Sequence, residues 1–516
     1  MTAPAATAYD EMLYPNRAFP QTHPERLATI ATLYGLHPAP PTQCRVLEIG
    51  CGHGWNVFPM AYDLPESEFL GFDIAARPIA LGTEDAKTLG LDNLRLEQRD
   101  ILDDNADLGC FDYIIAHGVY TWTPPAVRDR VLMLCHKHLA PQGVAYISYV
   151  VYPGGYMTQM TREMMQFHMQ HFEGAHNQVR QARAMLKLLV DAQVEDSPYR
   201  MLLEHAYQRV SVYPDEYLYH DDLSTSRDPC YFHQFADHAR RHQLQYLSEA
   251  VYFENFQPLF PPHVKAALDS LGDNLTLREQ YLDFLHGRNF RQSLLCHQEA
   301  EIVREDQRAA LNGMYLAAPA RALEKVGAMQ RFKGLSGSFA ETDALLDQAA
   351  LEHLGAQWPA FVAFEELLAV ARTQRGTTAP LEEDRQALAE TLLQLYQVNF
   401  LEMHLRTPQF ATFVSERPVA SPIARFQSQT TPYVSTLDFG SVRLNDPVVP
   451  LLLSLLDGTR DRDDLLAVLR TYMQDGTLVL KQEGEPVTDP KEAEKALADR
   501  LEVALAMMAQ QGLLLA

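Results

Sequence analysis

The stretch Val46-Leu47-Glu48-Ile49-Gly50-Cys51-Gly52-His53-Gly54-Trp55-Asn56 decides the fold of the amino-terminal half. Its apolar beginning is typical of a buried strand, and three glycines at alternate positions follow it. Glycine permits backbone angles that other residues avoid and lets a ligand approach the main chain closely. A helix is predicted next. A strand, a glycine-rich turn and a helix in this order indicate the ligand-binding edge of an α/β sheet.

The spacing of these glycines restricts the ligand. A nicotinamide-binding loop reads G-x-G-x-x-G, whereas the bulky Trp55 stands where its third glycine would fall. The spacing G-x-G-x-G favours a ligand without pyrophosphate, and we predict S-adenosylmethionine. A tight turn that binds nothing is the alternative. The predicted contacts of the loop with the cofactor are Glu48, Gly50, Cys51, Gly52, Gly54 and Asn56.

Strands and helices alternate from residue 45 onward. The predicted strands are residues 45–49, 68–72, 94–98, 111–116, 144–151, 244–247 and 291–296. Strands that alternate with helices are typical of a parallel sheet covered on both faces. We therefore predict a doubly wound, seven-stranded α/β sheet within residues 1–300. A helical insert over residues 156–228 interrupts it and is expected to capture substrate and to form a homodimer contact.

Two further cofactor contacts follow the second and third strands. Asp73 stands 23 residues after Gly50, where an acid can accept hydrogen bonds from both ribose hydroxyls, and Ile74 follows it. Asp100 and Ile101 come where the adenine would lie, with the isoleucine packing on the ring. Capping of a helix is an alternative role for Asp100.

Polar and aromatic residues also follow the fourth and fifth strands. His117 and Gly118 end the fourth strand, and His117 is either a ligand contact or a satisfied core histidine. Tyr120, Tyr149 and Tyr152 flank the expected cofactor, where aromatic faces attract cationic groups. They are our candidate catalytic residues, and core packing is the alternative.

Several blocks of the sequence resemble a bacterial methyltransferase family that carries a methyltransferase regulatory domain and includes rickettsial outer-membrane-protein lysine methyltransferases. The blocks are residues 9–11, 14–15, 19–27, 111–120, 219–223, 231–233, 280–284 and 288–295. The resemblance implies that the amino-terminal segment, with Tyr9, Gln21 and His23, folds over the methionine end of the cofactor. In the block 148–155 the family pattern has Asn and Trp where this chain has Val150 and Gly155.

The remainder of the chain is predicted to be mostly helical and winged-helix-like. We divide it into a middle domain over residues 301–406, a proline-containing linker over 407–433 and a carboxyl-terminal domain over 434–516. Residues 434–516 carry eight Lys and Arg against fourteen Asp and Glu. Since a DNA reader carries a basic face, this charge argues against binding of nucleic acid.

The composition points to a soluble, cytoplasmic protein. The formal net charge is −24, which disfavours adhesion to phosphate backbones and anionic membranes. The six cysteines are scattered without a C-x-x-C pair, and we find neither an export signal nor a membrane-spanning run. No metal is expected, since the sequence shows no clustered His, Asp and Glu set.

Three functions are compatible with these features. The first is a methyltransferase that acts on lysine side chains of a protein, favoured by the resemblance and by the helical insert. The second is a small-molecule methyltransferase. The third is a non-catalytic regulatory protein that only senses S-adenosylmethionine, and the acidic carboxyl-terminal domain disfavours it if its winged helix must bind DNA.

Overall fold

A computed structural model of the chain describes residues 7–15, 17–102, 108–194, 197–256, 260–376, 379–482, 485–487 and 490–516. Residues 1–6, which begin the segment searched for an export signal, lie outside these ranges. The internal contacts divide the chain into two compact units. The first comprises residues 1–16, 36–57 and 64–302, and the second comprises residues 17–35, 58–63 and 303–516.

The first unit contains the predicted seven-stranded sheet, which is confirmed. Its strands are β1 (Arg45–Ile49), β2 (Glu68–Asp73), β3 (Leu94–Gln98), β4 (Phe111–Ala116), β5 (Leu139–Val150), β6 (Leu244–Glu249) and β7 (Phe290–His297). Their order in the sheet is β3-β2-β1-β4-β5-β7-β6. The first five strands are parallel, and β7 runs antiparallel to β5 and β6. The chain reverses its strand order between β1 and β4, which is where open α/β sheets bind ligands.

The helices follow in chain order. They are α1 (Ala8–Glu11), α2 (Pro24–Leu33), α3 (Val57–Asp63), α4 (Ala76–Thr88), α5 (Pro125–His138), α6 (Gly154–Met169), α7 (Ala175–Asp191), α8 (Pro198–Val212), α9 (Asp215–Tyr217), α10 (Phe232–Arg241), α11 (Pro262–Asp269), α12 (Leu275–His286), α13 (Leu345–Gln357), α14 (Phe364–Arg375), α15 (Leu381–Gln397), α16 (Pro422–Gln427), α17 (Val448–Leu455), α18 (Arg462–Gln474) and α19 (Pro490–Gln510). A π-helical turn, Leu218–Asp222, follows α9.

The stretch predicted as a helical insert, residues 156–228, contains most of α6 together with α7, α8, α9 and the π-helical turn. These helices have a small apolar core of their own, to which Met165, Val179, Leu186 and Val210 contribute. Met165 is fully buried, whereas Met157 in the same helix is about half exposed. The methionine run of α6 therefore supplies both core and surface of the insert.

A buried charge network fixes the antiparallel edge of the sheet. Arg291 in β7 is fully buried, and its guanidinium contacts Glu249 of β6 at 2.6 Å and both Glu279 and Asp283 of α12 at 3.0 and 2.8 Å. Its guanidinium carbon also lies 4.1 Å from the centre of the Phe232 ring. Since a lone buried charge is costly, these partners hold β6, β7 and α12 in one arrangement.

The second unit contains short strands and three groups of helices. The strands are β8 (Tyr315–Ala317), β9 (Arg321–Val326), β10 (Met329–Lys333), β11 (Phe339–Thr342), β12 (Val362–Ala363), β13 (Glu402–His404), β14 (Tyr433–Ser435), β15 (Ser441–Arg443), β16 (Lys481–Gln482) and β17 (Glu485–Pro486). Strands β9, β10 and β11 form an antiparallel sheet that the sequence analysis did not predict, and β12-β8-β13 form another.

The prediction of a linker over residues 407–433 is wrong, because this stretch is folded. It contains α16, and Ala411, Ala420 and Ala424 are buried in one apolar core with α17, α18 and α19. Prolines and small polar residues are typical of a linker, and the buried apolar residues of this stretch are alanines, which give little signal of a core in the sequence. The stretch is a packed part of the carboxyl-terminal module.

No helix in the part of the chain that the structure describes is long and apolar enough to span a membrane.

Candidate functional site

The glycine loop after β1 is held by hydrogen bonds to the next strand. The amides of Gly50 and Cys51 both donate to the carbonyl oxygen of Phe72, at 2.8 and 3.1 Å. Gly50 has a φ of +73°, and a Cβ there would lie 2.6 Å from Cγ2 of Val119. A side chain at this position is therefore excluded both by backbone angle and by space.

Asp73 links the loop to the end of β2. One carboxylate oxygen accepts the amide of Gly52 at 2.9 Å, and the other accepts the amide of Ala75 at 2.9 Å. Burial raises the pKa of Asp73, and the two backbone hydrogen bonds partly offset this effect. A Cβ at Gly52 would meet no atom within 4 Å, so the loop faces open space beside the carboxylate.

Glu48, in β1 directly before the loop, is a buried acid. Oε1 accepts a hydrogen bond from Nδ2 of Asn56 at 2.8 Å, while Oε2 has no partner among the described residues. Burial raises the pKa of Glu48 to about 8, so its carboxyl group is mostly neutral at pH 7. Glu48 and Asn56, both predicted cofactor contacts, are therefore paired with each other beneath the loop.

Tyr9 lies beside Asp73. Its ring stacks on His220 with centroids 4.4 Å apart and planes 2° apart. Burial raises the pKa of Tyr9, and the charges of Asp73 and Asp221 raise it further. Nε2 of His220 donates to the carbonyl oxygen of Met12 at 2.6 Å. The amino-terminal segment is thus fastened to the π-helical turn, and the contact of Tyr9 with the cofactor stays a prediction.

The segment is fastened at two more points. Asp10 accepts the amide of Arg77 at the start of α4 at 3.0 Å. The hydroxyl of Tyr14 lies 3.3 Å from both carboxylate oxygens of Asp221. The sequence analysis missed the role of His220 and Asp221, although both stand in one of the blocks that carry the resemblance.

His117 and Gly118 lie at the carboxyl end of β4. Nδ1 of His117 contacts the hydroxyl of Tyr146 at 2.9 Å, and this hydroxyl donates to Gln292 at 2.8 Å. The amide of Gly118 donates to Ser148 at 2.8 Å. His117 is therefore a hydrogen-bonded, half-buried histidine at the ligand-binding edge of the sheet, and its contact with a cofactor stays a prediction.

The residues expected at the adenine have different surroundings. Ile101 is buried in the core of the first unit. Asp100 accepts the amide of Leu102 at 2.9 Å, and residues 103–107, which would follow a capped helix start, lie outside the described ranges. Ile74 is 42% exposed. Contacts of these residues with adenine remain predictions.

Tyr120 and Tyr149, two of the candidate catalytic residues, are core residues, which corrects that assignment. Tyr149 is fully buried, its ring stacks on Phe235 at 3.9 Å, and its hydroxyl is 2.8 Å from Oγ of Ser293. Tyr120 is 3% exposed and its hydroxyl lies 2.7 Å from Nδ1 of His238. Burial raises the pKa of both phenols. Neither hydroxyl is placed to exchange a proton with a substrate.

Tyr152 differs from these two because it is partly exposed. Its ring stacks on Tyr156 with centroids 3.8 Å apart and lies 5.3 Å from that of Tyr231. Tyr156 is 53% exposed and shares a hydrogen bond with Tyr231. We call Tyr152, Tyr156 and Tyr231 the tyrosine cluster. Of the three candidate catalytic residues, only Tyr152 lies where a substrate can reach it.

Gln21 and His23, also implied by the resemblance, belong to the second unit. Nδ1 of His23 accepts the amide of Glu25 and so caps α2, and Nε2 lies 3.5 Å from Asp63. Its ring centroid is 5.0 Å from that of Phe439. Their part in cofactor binding stays a prediction.

Comparisons with known proteins identify the domains of the chain. Residues 41–206 match a methyltransferase domain, residues 214–297 match a predicted methyltransferase regulatory domain, and residues 416–513 match the carboxyl-terminal winged helix domain of PKMT. An uncharacterized protein of Rickettsia prowazekii is 38% identical over 242 residues, which cover 46% of this chain and 96% of that protein. The chain belongs to the S-adenosylmethionine-dependent methyltransferases that carry a methyltransferase regulatory domain. A second uncharacterized protein of the same organism is 29% identical over 95% of this chain and 90% of its own length.

A solved structure shares the fold over the whole length. PKMT2 from Rickettsia typhi, in complex with AdoHcy, superposes with a TM-score of 0.86 at 29% identity. The match covers 97% of this chain and 99% of that one. The residues at the loop fit S-adenosylmethionine as cofactor, because Asp73 offers acceptor oxygens, the space before Gly52 is open and Glu48 keeps an unpaired oxygen.

Asp73→Ala should weaken binding of S-adenosylhomocysteine by about 1–3 kcal/mol, because ribose hydroxyls would lose their buried acceptor. Isothermal titration calorimetry measures this loss. Asp112→Ala is the matched control, since Asp112 in β4 also accepts a backbone amide, that of Arg45, but at the opposite end of the sheet. Equal affinities of the two variants, both with native circular dichroism, would exclude Asp73 from the site.

Glu48→Gln should flatten the pH dependence of stability. Since the folded pKa is about 8 against an ordinary 4.5, the stabilisation from the protonated carboxyl is complete below pH 4.5 and is lost as the pH rises through 8. The melting temperature of the wild type should therefore fall more steeply between pH 4.5 and 8 than that of Glu48→Gln, by about 2–4 °C for each kcal/mol lost. Glu68→Gln, at an exposed position of β2, is the control. Parallel curves for wild type and Glu48→Gln would contradict a buried, neutral Glu48.

Proposed function

We propose that this methyltransferase acts on lysine side chains of proteins. The observation that carries the proposal is similarity over nearly the full length to PKMT2, including a winged helix domain of the kind named for PKMT, an abbreviation of protein lysine methyltransferase. A relative that shares the catalytic domain alone would leave the acceptor open. Here the regulatory and winged-helix regions are shared as well.

Charge supports a lysine-bearing partner. The chain has a formal net charge of −24, which attracts a cationic protein from a distance. Salt screens this attraction and so shortens its range. The tyrosine cluster offers ring faces at the surface of the first unit, directly after β5. Aromatic faces bind ammonium groups, so we assign to this cluster the reception of the acceptor side chain.

The two positions at which the chain departs from the family pattern, Val150 and Gly155, lie close to each other, and Tyr152 lies next to Gly155. A Cβ built on Gly155 would lie 3.4 Å from Cγ1 of Val150 and 3.4 Å from Cδ1 of Tyr152. The two departures therefore change one region next to the tyrosine cluster rather than two separate ones. We infer that the identity of the methylated protein is adjusted in this region.

The chain's own contribution to the reaction is orientation and exclusion of water. When bound, S-adenosylmethionine supplies a methyl group already activated on its sulfonium. Asp73 and the glycine loop hold the nucleoside and methionine ends, and the tyrosine cluster directs the acceptor nitrogen toward the methyl group. Lysine must react as the neutral amine, and partial burial lowers its pKa from about 10.4. As the nitrogen–carbon bond forms the sulfur–carbon bond breaks, and the proton leaves the nitrogen for water.

Transfer of isotopically labelled methyl groups from S-adenosylmethionine tests the proposal. The enzyme is incubated with bacterial lysate separated into protein and low-molecular-weight fractions, and labelled protein is hydrolysed to amino acids. We expect methyllysine in the protein fraction, less of it at high salt, and less of it with Asp73→Ala at a cofactor concentration that does not saturate this variant. Label confined to small molecules would identify a small-molecule methyltransferase, and cofactor binding without label in either fraction would identify a sensor.

Substitution in the tyrosine cluster separates acceptor binding from cofactor binding. Tyr156→Ala should lower the yield of methyllysine at least about tenfold, the effect of roughly 1.4 kcal/mol of lost contact, without changing the affinity for S-adenosylhomocysteine. Tyr199→Ala, at an exposed tyrosine of α8, is the matched control. A Tyr156→Ala enzyme as active as this control would remove the cluster from the acceptor site.

A further inference from the structure

Two histidines and an aspartate converge on the surface of the first unit. His238 lies in the last turn of α10, His242 directly follows this helix, and Asp129 lies in the first turns of α5. Oδ1 of Asp129 is 3.3 Å from Nε2 of His238 and 2.9 Å from Nε2 of His242. The ligand atoms of all three side chains lie within 4.8 Å of one another.

We propose that this triad binds a divalent zinc ion. Zinc binds imidazole nitrogens at about 2.0–2.1 Å and carboxylate oxygens at about 2.0–2.2 Å in a tetrahedral arrangement, so its ligand atoms stand a little over 3 Å apart. The two distances to Asp129 are already close to this value. The i, i+4 spacing brings both imidazoles to the same side of the helix end. Asp129 is exposed, which leaves a fourth position for water.

A neighbouring tyrosine fixes the histidine in the form that binds metal. Nδ1 of His238 lies 2.7 Å from the hydroxyl of Tyr120. With the proton on Nδ1 and donated to this oxygen, Nε2 presents its lone pair to the ion. Ligating histidines regularly have such a partner on their second nitrogen. The buried Tyr120 hydroxyl would therefore orient a metal ligand, although it cannot exchange a proton with a substrate.

The charges around the triad are compatible with a cation. His242 caps the carboxyl end of α10, where the helix dipole favours positive charge. Of the nearby arginines, Arg240 is paired with Asp237 at 2.5 Å and Arg128 with Asp228 at 2.9 Å. Arg241 of α10 is a further cation close to His238, and the Asp129 carboxylate opposes its charge.

The sequence analysis expected no metal because Asp129 stands 109 residues before His238. Only the spacing of His238 and His242 was visible, and two histidines alone do not define a site. The fold supplies the third ligand by packing α10 and α5 against the same part of the sheet core. The proposed ion would join these helices to the segment after β4, which carries Tyr120.

Titration of zinc chloride into the full-length protein, freed of metal by a chelator and of any histidine tag, tests the proposal. We expect one equivalent to bind, to raise the melting temperature and, with cobalt in its place, to give the intense visible absorption of a tetrahedral site. His242→Ala and Asp129→Asn should each weaken binding at least about tenfold, and Tyr120→Phe about 10–100-fold.

His205→Ala, at an exposed histidine of α8, is the matched control and should bind zinc like the wild type. Because Tyr120→Phe alters the core, His242→Ala and Asp129→Asn, both at the surface, keep the test independent of folding. Absence of zinc binding, or equal affinity of His242→Ala and His205→Ala, would reduce the triad to a histidine–aspartate ion cluster and overturn the proposal.

Discussion

The hydrogen bond from the Gly52 amide to the Asp73 carboxylate is the interaction on which the site depends. It joins the ends of β1 and β2, beside the point where the strand order reverses between β1 and β4. The loop that makes it has positive φ angles at Gly50 and Gly52, and a side chain at Gly50 would also collide with Val119. The carboxylate also accepts the amide of Ala75, so the same group orients the start of α4. One buried acid thus fixes both the glycine loop and the start of α4, and it is the group that we predict to bind the ribose of the cofactor.

Much of the fold was predictable because the sheet is buried on both faces. Strands β1, β3 and β4 have the predicted bounds, and β2, β6 and β7 differ by one or two residues, whereas β5 begins five residues before its predicted start. Apolar, buried runs identify β1 and β4, but β3 at the edge of the sheet is partly exposed and alternates apolar with charged or polar residues. By contrast, β9, β10 and β11 were missed. Every residue of β9 is exposed, so it shows no buried face from which a strand could be inferred.

The site was predictable where chain order decides proximity. Gly50 and Asp73 end neighbouring parallel strands, so their meeting follows from the strand pattern. Burial was not predictable in this way. Tyr149 and Tyr152 stand three residues apart, and β5 ends between them. Tyr149 is buried against Phe235, whereas Tyr152 is partly exposed. The pairing of Tyr9 with His220 spans more than two hundred residues and needs the fold itself.

The regulatory region, residues 214–297, contacts the amino-terminal segment of the first unit. Residues 214–297 include the π-helical turn, and its His220 and Asp221 hold Met12 and Tyr14. Tyr9 stacks on His220 of this turn and interacts electrostatically with Asp73. A displacement of the turn would therefore also displace Tyr9 relative to Asp73. The amino-terminal segment of the first unit is therefore held in place by residues of its regulatory region.

A crystal structure of the protein with S-adenosylhomocysteine tests the central claim most directly. The account predicts both ribose hydroxyls within hydrogen-bond distance of the Asp73 carboxylate, the homocysteine end along residues 50–54 and the Tyr9 segment in place over them. A nucleoside bound elsewhere, or an Asp73 that keeps only its bonds to Gly52 and Ala75 while the ribose contacts other groups, would contradict it.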